Sequence, residues 1–111
     1  MTVYITDNFN FFKHLNRFPD FACVTMTPYA FETVRKELSQ KTFIPYCSNY
    51  YSASMWSKLV FASIPYSPNA EIPKLSDQDI VYVAIPKSDK YSLEPKDYYF
   101  WKIFIEYNWR G

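Results

Sequence analysis

The chain has 111 residues, 13.3 kDa, with 12 Lys+Arg against 11 Asp+Glu, so its formal net charge is +1. It carries 24 aromatic residues (11 Tyr, 10 Phe, 3 Trp) and one glycine, Gly111, where an average chain of this length has about eight. The missing glycine excludes Walker loops, GxGxxG turns and nucleophile elbows, which need it to bring backbone close to a phosphate or to turn sharply. Near-zero charge argues against general DNA or RNA binding.

The length suits one domain over residues 1–111. No run approaches ~18 apolar residues, so no membrane span is expected. The start, Met1–Asp7, has neither the basic nor the long apolar region of a signal peptide. Two cysteines, Cys23 and Cys47, make no disulfide framework, and a reduced cytoplasmic setting follows. With His14 as the only histidine, a zinc site built from Cys and His is excluded, and no cofactor is expected.

In chain order, Val3–Ile5 reads as a first strand and Phe21–Met26 as a second. Thr27 stands at an N-cap position with Pro28 at the first helical position, which predicts a first helix starting there. Its apolar face would be Ala30, Phe31, Val34 and Leu38. Thr42–Ile44 is a short extended piece ended by Pro45. Ser48-Asn49 then caps a second helix, Tyr50–Val60, with Ala53, Trp56, Leu59 and Val60 as its buried stripe. Segments 62–66, 70–75 and 79–85 read as extended. Pro65 and Pro73 demote the first two to edge or irregular pieces, and Ile80–Ile85 is the strongest central strand. After a polar loop, Pro86–Asp97, the last strand runs from Tyr98 to Trp109. Tyr99, Trp101, Ile103, Ile105, Tyr107 and Trp109 share one face of it. The predicted class is α+β: a mixed or mostly antiparallel sheet with two helices on one face.

The start of the second helix is the best candidate site, because a helix N-terminus offers unpaired N–H groups to an anion without glycine. Ser48, Asn49 and Ser52 would supply hydroxyl and amide groups, and Tyr46, Tyr50 and Tyr51 rings for stacking. Those same residues also read as a plain cap with packed tyrosines. Cys47, near that N-terminus, is expected to have a lowered pKa, and Cys23 in its strand to be inert. His14 is the one strong candidate for proton transfer near neutral pH, but no partner stands at a diagnostic spacing, so it reads as a packed or solvated side chain. Asp77 and Asp79 read as loop solvation. The aromatic last strand, with Tyr99, Trp101, Tyr107 and Trp109, reads as a protein interface.

Val3-Tyr4-Ile5-Thr6-Asp7-Asn8-Phe9 resembles the opening V-Y-L-T-N-A-F of the small viral ring-nuclease family, the type III anti-CRISPR proteins of archaeal viruses, some phages and mobile elements. The family hallmark, F-I-S-A-I-G-H-x-x-T-A-x-L-L-S-x-L-L, runs parallel to Phe43–Val60 without a gap, and its V-P-x-N-R is similar to Tyr66–Ala70. The resemblance implies an α+β homodimer whose interface forms a pocket for a cyclic oligoadenylate second messenger. It also locates departures. The family's catalytic histidine falls on Asn49, the glycine before it on Ser48, its arginine after asparagine on Ala70, and its R-L-x-E-G loop on Lys87–Lys90. An asparagine is no general acid or base, so the resemblance implies binding without cleavage, with Ser52 and Asn69 kept in the pocket. Two functions follow as expectations. The first is a viral or mobile-element immune-evasion protein of the host cytoplasm that sequesters a cyclic oligonucleotide. The second is an inhibitor that docks its aromatic surface on a host defence protein.

Overall fold

The computed structural model describes residues 1–12 and 22–107. The strands are β1 (Val3–Thr6), β2 (Ala22–Tyr29), β3 (Ile44–Tyr46), β4 (Ile80–Pro86) and β5 (Tyr98–Tyr107), and the helices are α1 (Phe31–Leu38) and α2 (Tyr50–Val60). They form one five-stranded sheet in the order β2-β5-β4-β1-β3. β1 lies parallel to both β3 and β4, whereas β5 is antiparallel to β4 and β2. The fold is therefore α+β with a mixed sheet.

The strands at the centre read as apolar runs because both faces of the sheet are covered there. Val3, Ile5, Ile80, Tyr82, Ala84, Tyr98 and Phe100 face both helices, packing on Val34, Leu38, Ala53, Met55, Trp56 and Leu59. On the opposite face, Tyr4, Val81, Val83, Ile103 and Ile105 pack under Phe11 and Leu75. Trp56 is fully buried, edge-on to Phe100 at 5.5 Å, and its indole N–H donates to the Thr6 carbonyl at 3.2 Å. That bond ties α2 to the end of β1, and it satisfies the polar edge that a buried tryptophan brings with it.

α2 has the expected bounds and stripe, except that Val60 is half-buried and Met55 and Ser52 join the buried set. The first helix differs. Thr27 and Pro28 do not start it: they continue β2, opposite Lys102 and Trp101, and α1 begins at Phe31 after Ala30, which offers no side-chain cap. Proline is tolerated there because β2 is an edge strand, with one side of its backbone outside the ladder. Pro45 likewise lies inside β3, the other edge, and does not end it. Segment 62–66 forms only a bridge between Cys47 and Tyr66, and 70–75 forms no strand. β5 is followed to Tyr107; Asn108 and Trp109, the expected end of that strand, lie outside the described residues.

The lack of internal glycine leaves a mark on the backbone. Phe61, which ends α2, and Gln78, before β4, both have positive φ (57° and 65°), the region that glycine enters without penalty. Phe61 is 79% exposed, with the Arg35 guanidinium 5.1 Å from its ring.

Candidate functional site

The turn that enters α2 is assembled from two distant stretches of chain. Asn49 is the N-cap: its side-chain oxygen accepts from the backbone N–H of Tyr51 (2.8 Å) and Ser52 (3.4 Å). Asp7, just past β1, fills the space in front of it. One Asp7 carboxylate oxygen accepts from the Ser48 N–H (3.2 Å), the Ser48 hydroxyl (3.0 Å) and the Asn8 amide (2.8 Å). The other accepts from the Asn49 N–H at 2.8 Å. The donors expected to meet a phosphate are thus held by the protein's own anion, which sits where a helix N-terminus favours negative charge. Asp7 is 41 residues from Ser48, and only the parallel pairing of β1 with β3 brings them together.

Beside this capped turn a cleft of about 290 Å³ opens between α2 and the loop after β4. Asn49, Tyr51 and Ser52 line one wall; Ser88, Asp89, Lys90 and Tyr91 line the other, with Pro86 and Tyr98 between them. The rings of Tyr51 and Tyr91 stack at 4.4 Å and 16°, and Tyr50 meets Tyr51 edge-on at 5.7 Å. Tyr91 is 73% exposed, so it presents an outward ring face. Ser52 is buried against the Tyr98 phenol, whose pKa is raised, chiefly by burial.

Of the sequence-derived ligand residues, Asn49 and Ser52 line the cleft, whereas Ser48, bonded to Asp7, and Tyr50, edge-on to Tyr51, are not among its lining residues. Tyr46 points elsewhere, packing on Tyr4 (5.8 Å) and Phe11 (5.5 Å) in the opposite core layer. Asn69 is exposed in the turn that follows the Cys47–Tyr66 bridge, outside the cleft. The resemblance points to the Lys87–Lys90 loop, but neither Lys90 nor Tyr91 is named there as a ligand residue, because a polar loop gives no periodicity to mark them. The Cys47 expectation is reversed: the thiol is fully buried, and burial, with Asp7 nearby, pushes its pKa well up. Cys23 is exposed on β2. Asp79 is also not solvated; buried, it accepts from the backbone N–H groups of Thr2 and Ser76 at 2.8 Å each. Asp77 accepts from the Tyr107 N–H. His14 lies outside the described residues.

The aromatic face of β5 is not one continuous exposed surface. Ile103 and Ile105 at its middle are fully buried, Trp101 is half-buried, and the Tyr107 hydroxyl donates to the Leu75 carbonyl. Tyr99, 57% exposed, remains on the outside, and Trp109 lies outside the described residues.

Among the described residues no helix is long and apolar enough to cross a membrane, and no His, Cys, Asp and Glu side chains cluster to hold a metal ion. No family model and no curated protein matches the sequence. The structure is similar to that of B116 of Sulfolobus turreted icosahedral virus, with a TM-score of 0.69 and 15% identity over 93% of this chain and 98% of that one. The chain shares its fold with a viral protein.

Proposed function

We propose that this chain is an immune-evasion protein of a virus or mobile element that binds and sequesters a cyclic oligonucleotide second messenger without cleaving it. The cleft beside α2 carries the reading. Its exposed Tyr51–Tyr91 stack offers ring faces to bases, while Lys90 and Ser88 offer a charge and a hydroxyl to phosphate or ribose. Asp7 already holds the Ser48 and Asn49 N–H groups, so the ligand is gripped through rings and the loop and not through the helix terminus. Asn49 spends its side-chain oxygen as the cap and carries no titratable proton, which supports binding over cleavage. The fold shared with a viral protein supports the viral setting, and with it the host cytoplasm as the place of action. Calorimetry against cyclic di-, tri- and tetranucleotides tests the reading: one or more should bind and be recovered intact by chromatography, and binding of none would refute it.

A second reading rests on β2. This eight-residue edge strand exposes Cys23–Pro28, with Val24 and Met26 among its outward apolar residues. Such an edge is a template for another chain, whether a second copy in a homodimer or a host defence protein that the chain inhibits. Sedimentation of the pure protein and capture from host lysate separate these partners, and Val24→Lys with Met26→Lys should abolish either contact.

A further inference from the structure

We infer that a second cleft, on the other side of Tyr98 from the α2 site, binds a small planar anion of the nucleoside monophosphate kind. β2 leaves the sheet at Tyr29, opposite Phe100, so the first two residues of β5 have no β2 neighbour. The space this opens is a cleft of about 280 Å³, walled by Tyr29, Phe31, Tyr99 and Trp101, with Lys87 and Lys96 at its mouth. At that size it takes one base and its sugar phosphate, below the range of pockets for larger ligands.

Two features make the occupant an anion with a ring. Among the described residues, neither Lys87 nor Lys96 is paired with a carboxylate. None of the acids nearest in sequence lines this cleft: Glu94 pairs with Lys58, the Asp97 carboxylate accepts from the Ser92 hydroxyl at 2.6 Å, and Asp89 lies in the lining of the α2 cleft. The cleft therefore carries uncompensated positive charge over an aromatic floor. The Lys87 ammonium already lies 5.4 Å from the Tyr99 ring centroid, so a phosphate meeting it has an aromatic face beside it for a base. This site shares no lysine or outward ring with the α2 cleft, so it stands whether or not a cyclic oligonucleotide binds there.

Adenosine 5′-monophosphate is the probe, followed by heteronuclear NMR on the nitrogen-labelled full chain. Saturable shifts at Lys87, Tyr99 and the Trp101 indole are expected, with an affinity about tenfold above that of adenosine or of inorganic phosphate, since each supplies only half of the contacts. The Lys87→Ala/Lys96→Ala double variant should keep its other amide signals and lose about tenfold in affinity. The inference is overturned if phosphate or adenosine alone binds as tightly, if the double variant binds unchanged, or if shifts fall only at Asn49, Tyr51 and Tyr91.

Discussion

Asp7→Asn is the most informative single change in the turn before α2, because it alters charge and one atom while keeping shape. The carboxylate accepts four hydrogen bonds, three on one oxygen and one, from the Asn49 N–H, on the other. An amide keeps one oxygen, so whichever way it turns, an NH2 group meets a donor. Loss of one charge-assisted bond costs about 1.5–3 kcal/mol, and loss of negative charge at a helix N-terminus about 0.3–1 kcal/mol more. Asp7 is only half-buried, so solvent recovers part of this, leaving about 2 kcal/mol. For a chain of this size that is a fall in Tm of roughly 8 °C. Urea unfolding should show a lower midpoint at an unchanged slope, as expected when native stability alone changes. A variant as stable as the parent would refute the claim that Asp7 holds the α2 entry.

Three more outcomes follow from the structure. Burial alone would raise the Glu37 pKa, but its bonds from Lys102 (2.8 Å) and Tyr82 outweigh burial and hold it below the usual carboxylate range. A depressed folded-state value gives stability that is present above the unfolded carboxylate pKa and lost as pH falls through the folded one, so Glu37→Gln should flatten the acid side of a stability profile. An unchanged acid limb would contradict it. In the native protein one thiol, Cys23, should react with a soluble disulfide reagent, and Cys47 only after denaturation; rapid modification of both would mean that Cys47 is accessible. Gln78→Gly should raise stability by about 0.5–1 kcal/mol, since glycine relieves the positive φ there, whereas a loss of stability would show that the turn is unstrained.

What the sequence disclosed tracks how local each determinant is. The bounds of α2 were legible because Ser48-Asn49 supplies its cap within the same turn, and β4 was legible as an apolar run flanked by polar residues. The start of α1 was misread because Thr27-Pro28 has the chemistry of a helix start. Edge-strand pairing with β5 overrode that chemistry, and an edge position is invisible without the topology. The same holds at the site. Asn49 and Ser52 could be named from their place on α2, but Asp7, Lys90 and Tyr91 reach it only through the sheet and the loop after β4. Asp7 changes the chemistry most, since it turns an apparent anion receptor into a self-capped turn. The aromatic β5 stripe was read correctly in its alternation, yet its middle is core, because segment 70–77 folds over Ile103 and Ile105.

The proposed ligand site is built on the Tyr51–Tyr91 stack beside the capped end of α2. Calorimetric titration of cyclic tetra-adenylate into the parent chain and into Tyr91→Ala measures it directly. Saturable binding by the parent is expected, with a loss of about tenfold or more when the exposed ring is removed, given that one base–aromatic stack contributes about 1–3 kcal/mol. Equal affinity in the two proteins would rule out binding on the Tyr91 ring, and heat that reports turnover of the ligand would rule out sequestration without cleavage.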